Sequence, residues 1–124
     1  DPRYRTLSKE ESLEDPRSCL YGELYARDRI LVVEGPTDVW RIGPGAVATL
    51  GSGWSGEQAD KIRQYRYRFI MFDNERPAQK KAESLAAAVA SAPGMTEIID
   101  GLDTDPGDLS LSEVKSIRKE LELD

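Results

Sequence analysis

Two apolar runs in this chain stop abruptly on carboxylates. Ile30-Leu31-Val32-Val33 runs into Glu34-Gly35-Pro36-Thr37-Asp38, and Phe69-Ile70-Met71-Phe72 runs into Asp73-Asn74-Glu75. Unbroken apolar runs of this length suit strands buried on both faces of a parallel sheet. In such sheets ligands bind just outside the carboxyl ends of the strands. Two neighbouring strands of this kind aim several negative charges into one crevice, which is costly unless a cation neutralises them. The donors are all oxygens, a set that suits Mg²⁺ or Mn²⁺.

Composition narrows the chemistry. The chain of 124 residues fits one domain with a real core. Seventeen basic against twenty-three acidic residues leave a net charge of −6, which argues against attachment to nucleic acid by bulk charge but not against a local basic patch. The absence of histidine removes imidazole acid–base chemistry, His-ligated zinc and the Ser-His-Asp triad. Cys19 has no second cysteine in the chain, so neither an intramolecular disulfide nor a multi-cysteine zinc site is possible, and a lone thiol fits a reducing cytoplasm. No apolar stretch approaches membrane-spanning length and no signal peptide is evident. The first residue, Asp1, fits a piece of something longer.

Along the chain, residues 1–28 read as a polar, irregular lead-in, the end of a preceding domain, with Leu20-Tyr21-Gly22-Glu23-Leu24-Tyr25 as an amphipathic piece able to pack on the core. From residue 29 the pattern alternates strand and helix, predicting an α/β fold with a mostly parallel sheet of about four strands flanked by helices. Strands are expected over 30–34, 46–50, 68–73 and 96–99. Helices are expected over 38–42, over 55–65 from a Ser55/Gln58 capping box, over 77–92, and from a second capping box at Ser110/Glu113. The third helix carries the apolar stripe Ala78, Ala82, Leu85, Ala86 and Val89, and the last turns Leu111, Val114, Ile117 and Leu121 inward. Gly51-Ser52-Gly53 reads as a turn, and residues 103–108 as an acidic loop. The core unit spans 29–109 and the C-terminal helix 110–124.

Acids recur at strand ends: Glu34 with Asp38, Asp73 with Glu75, Asp105 with Asp108. Taken singly, Asp38 is a helix cap, Asp73-Asn74 turn chemistry and Asp105-Pro106-Gly107 an ordinary loop. Taken together, at successive strand ends of one sheet, they point to a metal site.

The order Glu34-Gly35-x-x-Asp38, then Asp73-x-Glu75, then Asp105-Pro106-x-Asp108 resembles the Toprim domain, shared by bacterial-type primases, topoisomerases, and nuclease and recombination-repair families. The resemblance is nearest to bacterial-type and phage DNA primases, through Leu20-Tyr21-Gly22, Val33-Glu34-Gly35-x-x-Asp38-Val39 and Ala46-Val47-Ala48-Thr49-Leu50-Gly51, and it runs from about residue 20 to about residue 109. It implies Glu34 as general acid/base, and Asp38, Asp73, Glu75, Asp105 and Asp108 as acids of a site for Mg²⁺ or Mn²⁺. It also implies metal-dependent nucleotidyl transfer making RNA primers, with single-stranded DNA template and nucleoside triphosphates as partners, beside a helicase or other domains of a parent protein. Glu75 stands where the family has aspartate, and Pro77-Ala78 where Ala-Gly is common. A Toprim nuclease that hydrolyses nucleic acid, and a non-catalytic metal-binding or interaction module, remain as alternatives.

Arg63, Arg66 and Arg68, interleaved with Tyr65 and Tyr67, make the densest basic-aromatic stretch. A solvated helix end is the more economical reading, a patch for single-stranded nucleic acid the sharper one. Lys80 and Lys81 lie within reach of a phosphate near the acidic pair, though helix-face lysines are ordinarily just solvated. Trp40 and Trp54 read as core or crevice wall.

Overall fold

The computed structural model describes residues 19–23, 26–50, 53–100 and 104–124. In chain order they form β1 (Arg29–Val33), α1 (Pro36–Ile42), β2 (Ala46–Ala48), α2 (Gly56–Ile62), β3 (Tyr67–Ile70), α3 (Arg76–Val89), β4 (Met95–Ile98), a 3₁₀ turn (Pro106–Asp108) and α4 (Leu111–Glu120). The four strands pair in parallel in the order β2-β1-β3-β4. Most of the lead-in, Leu24-Tyr25, the Gly51-Ser52 part of the expected turn and Asp103 lie outside the described residues.

The apolar runs divide between two cores by strand alternation. Ile30, Val32, Val47, Ile70 and Phe72 meet α2 and α3 through Ala59, Ile62, Ala78, Ala82, Leu85 and Val89. Leu31, Val33, Ala46, Ala48, Phe69 and Met71 meet α1 and α4 through Val39, Ile42, Val114 and Leu121. The result is a sheet with two helices on each face. The expected stripe of α3 is the one observed, and both serine capping boxes form, Ser55 with Gln58 and Ser110 with Glu113.

β2 lies at an edge of the sheet yet is wholly buried. Its outer side is covered by Tyr21, whose N–H donates to Ala48 O at 3.0 Å and whose carbonyl accepts from Ala48 N at 2.9 Å. Leu20 enters the core beside it. Gly22 then turns away with φ +88°, and a Cβ there would stand 2.7 Å from Ala46 O. The Leu-Tyr-Gly order thus has a packing reason: a core anchor, an edge partner, and a residue that must lack a side chain.

Four expectations are corrected. β2 and β3 are shorter than 46–50 and 68–73, although Leu50 N still reaches Glu34 O (3.1 Å) and Met71 N reaches Val32 O (2.8 Å). Pairing frays there because the central strand β1 itself stops before Gly35, the N-cap of α1. Leu111 is 73% exposed: it is the first residue of α4, and although it shares a face with Val114 it lies short of the core that Val114 and Leu121 join. Trp40 is 68% exposed, because Val39 and Ile42 are the positions of α1 that face the sheet, so the core reading is corrected while the crevice-wall reading stands. It lines a hollow with Tyr21, Gly22 and Val39 and donates from Nε1 to Tyr21 Oη at 2.8 Å. Trp54 does pack against the core, with Nε1 donating to Ser84 Oγ.

The fourth correction concerns Arg68, which is 1% exposed and takes no part in a surface patch. Its Nε donates to Thr96 Oγ1 (2.9 Å), Nη1 to Tyr65 O (2.6 Å) and Pro93 O (2.9 Å), and Nη2 to Ala92 O (3.1 Å). One guanidinium thereby ties the chain leaving α2 and the chain leaving α3 to β3 and β4. A fork of five donors matches this task as no other side chain does. Arg68→Leu strands those carbonyls in the interior and is expected to cost about 3 kcal/mol or more, read as a lower urea midpoint at unchanged slope.

Candidate metal centre

β1 stops at Val33 because the next residues cannot continue it: Gly35 is the N-cap of α1 and Pro36 its first residue, where a missing N–H costs nothing. Glu34 is left at the carboxyl end of the strand. β1 is joined through α1 to β2 on one side, while β3 pairs on its other side. Between β1 and β3 the order of the sheet therefore changes direction, and a crevice opens at their carboxyl ends. Asp73, just past β3, stands across it from Glu34, and the backbone N–H of Asp73 donates to Glu34 Oε1 at 2.9 Å.

The 3₁₀ turn packs on α1 and closes the third side. Asp38 is buried, with Oδ2 accepting the Gly35 N–H at 3.2 Å and its carboxylate also hydrogen-bonded by the Gly107 backbone. Gly107 comes so near that a Cβ would lie 2.8 Å from Asp38 Oδ1. A cleft of about 540 Å³ results, lined by Glu34, Gly35, Thr37, Asp38, Asp73, Asp105, Gly107 and Asp108. Among the described residues no lysine or arginine lines it.

The crowding of acids shows in their protonation. Burial, together with the charges of Glu34, Asp105, Asp38 and Glu75, pushes the Asp73 carboxyl from 3.8 up to about 6. Asp38 is also raised, first by burial and then by Glu34 and Asp105, against the lowering effect of the Gly35 and Gly107 N–H groups. The donor set is carboxylate oxygen throughout, which fits a hard divalent cation. Among the described residues no three of these acids stand close enough together to hold a metal ion as they are placed. An ion bound here would have few protein ligands and keep several waters, a manner of binding open to Mg²⁺.

Of the residues singled out in the sequence, Glu34, Asp38, Asp73, Asp105 and Asp108 share this cleft. Glu75 does not line it. It is exposed at the N-cap of α3, on the rim, and acts on Asp73 through its charge. Arg63 and Arg66 line a separate hollow with Gln64, Tyr65, Pro93 and Gly94, at the amino end of β3 and so at the opposite end of the sheet. Arg63 is engaged there with Asp60 and Ala88 O. Lys80 is exposed and Lys81 half-buried on α3, and neither lines the cleft.

Three contributors were not foreseen. Thr37 and Gly107 lie inside the two acidic motifs, where spacing alone gives no sign that they form the walls. Gln79 donates from Nε2 to Asp73 O at 2.9 Å and more weakly to Phe72 O at 3.4 Å. Its only signal is a glutamine in the first turns of the helix that follows the acids.

Between its ordinary value of 3.8 and about 6, Asp73 holds a proton in the folded chain that the unfolded chain has released. Its contribution to stability is full below about pH 4 and is lost as pH rises through about 6. Asp73→Asn is therefore expected to raise the melting temperature of chelator-treated protein by a few degrees near neutral pH and to leave it unchanged near pH 4, as followed by circular dichroism.

No protein-family model and no curated protein matches the sequence. Among solved structures, the fold is similar to that of the Aquifex aeolicus primase, in a crystal structure of its zinc-binding and RNA polymerase domains, with a TM-score of 0.73. Identity is 19% over 90% of this chain, which spans 31% of that one. At this identity the likeness is one of fold: the arrangement of sheet and helices is primase-like.

Proposed function

We propose that this chain is the catalytic, Toprim-type domain of a DNA primase, a metal-dependent nucleotidyltransferase that makes RNA primers on single-stranded DNA. The observation that carries the reading is the convergence of Glu34, Asp38, Asp73, Asp105 and Asp108 on one cleft at the switch point of a parallel sheet. The primase-like fold supports it.

Asp73, Asp38, Asp105 and Asp108 would hold Mg²⁺ or Mn²⁺, with Glu75 reaching in from the rim. The bound cation supplies neutralisation of charge on the phosphate oxygens and activation of the attacking hydroxyl. Glu34 takes the proton of that hydroxyl. One of its oxygens accepts the Asp73 N–H, which holds the carboxylate in place, and the other still offers lone pairs to the reacting group. Template and nucleoside triphosphates are the substrates. The chain is much shorter than the primase it resembles in fold, so other domains of a parent protein, or a helicase, contribute to template binding in this reading.

Titration with Mn²⁺, by calorimetry or electron spin resonance, tests the reading. Asp73→Asn is expected to weaken binding at least about tenfold. Glu34→Gln is expected to bind metal while losing about 10²-fold or more of nucleotide incorporation on a single-stranded template. Metal-dependent cutting of nucleic acid without incorporation would assign the cleft to a nuclease instead. Absence of Mn²⁺ binding, or binding indifferent to both changes, removes the catalytic reading altogether.

A further inference from the structure

We propose that Gln79 is the positioning residue for Asp73, holding the height and direction of that carboxylate over the cleft. The inference rests on the metal-centre reading above. Regular strand pairing on β3 ends with Met71, whose N–H donates to Val32 O at 2.8 Å. Helical pairing in α3 opens with Glu75 O, which accepts the N–H of Gln79 at 2.9 Å. Between these two points the chain must carry Asp73 without help from either ladder.

Side chains do the work there. The N–H of Asp73 is taken by Glu34 Oε1 at 2.9 Å, and its carbonyl by Gln79 Nε2, also at 2.9 Å. Asp73 is thus fixed through both its peptide groups. Glu34 is the restraint that the proposed chemistry engages, because its carboxylate must also handle a proton. Gln79 is the restraint that stays constant: its backbone belongs to the helix, its amide is neutral at every pH, and it adds no charge to a cluster of acids already crowded. Such a support for a metal-binding carboxylate, lying outside the cleft, is where affinity for the ion is tuned.

The test uses Gln79→Met, which keeps the length and bulk of the side chain but cannot donate, and Gln79→Ala, which removes the side chain. Mn²⁺ affinity and the electron spin resonance spectrum of the bound ion are measured beside wild type, Asp73→Asn and Val89→Ala, a core change in the last turn of α3. Melting temperatures are taken with chelator. Both Gln79 variants are expected to lose about tenfold in Mn²⁺ affinity and to broaden the spectrum. Gln79→Met should do so with a smaller fall in melting temperature than Val89→Ala, which should bind Mn²⁺ as wild type does. Wild-type affinity in both Gln79 variants, with Asp73→Asn impaired, overturns the role of Gln79 and leaves the metal centre standing. An equal loss of affinity in Val89→Ala reduces Gln79 to a general stabiliser and overturns the proposal too. If wild type itself binds no Mn²⁺, the metal centre and this inference fall together.

Discussion

β1 is paired in parallel on both sides, to β2 and to β3, and every feature of the acidic cleft follows from that pairing. A strand so placed can expose nothing, which is why Ile30, Leu31, Val32 and Val33 are all fully buried. Where it ends, both neighbours lose the partner they pair with. The Gly35-Pro36 pair stops it sharply by starting a helix, and Glu34 is the last residue before the stop. The neighbouring chain then delivers Asp73 at the same level, and the bond from its N–H to Glu34 ties the two strand ends together. Were β1 an edge strand, the acids would be spread along a rim rather than facing across a crevice.

Bringing five carboxylates to one cleft works against folding, and the structure shows how the repulsion is contained. Asp38, the most buried, accepts backbone N–H groups from Gly35 and Gly107, partners that stabilise charge without adding a competing cation. Asp73 has no such bonds to its carboxylate among those described and is the one driven furthest up, to about 6. Asp105 and Asp108 remain open to solvent. The repulsion thus concentrates on the acid best placed to gain from a cation, and little of the cost is offset within the protein itself.

Much of this was legible in the sequence because it was written in patterns with strong physical causes. Runs buried on both faces, a proline at the start of a helix and serine capping boxes placed the elements to within a few residues. The strand-end acids followed from the elements. What escaped was the identity of the long polar side chains that turn inward. Arg68 alternates with apolar neighbours on β3, and composition marks it as surface. Only the carbonyls left at the ends of α2 and α3 give it an interior role. Gln58 reads as a cap, and is one, yet it also donates to Thr49 O and Cys19 O, joining the end of β2 and the lead-in to α2. Trp40 was legible only in part: of core and crevice wall, the seven-residue α1 turns only Val39 and Ile42 to the sheet and leaves Trp40 as a wall of the hollow beside Tyr21.

The parallel sheet also sorts charge between its two ends. Each strand leads at its carboxyl end into the start of a helix, so the acids Glu34 and Asp73 stand beside the N-terminal turns of α1 and α3, where backbone N–H groups point outward. At the amino ends of the strands the helices finish, leaving carbonyls without helical partners. The guanidinium groups are spent there. Arg68 serves the ends of α2 and α3, and Arg118 donates from Nη1 to Ile42 O and Pro44 O at the end of α1. The buried basic side chains are therefore committed to closing helix ends at one pole of the domain. Among the described residues no arginine or lysine lines the acidic cleft at the other pole, and in the function proposed above an ion from solution balances its charge.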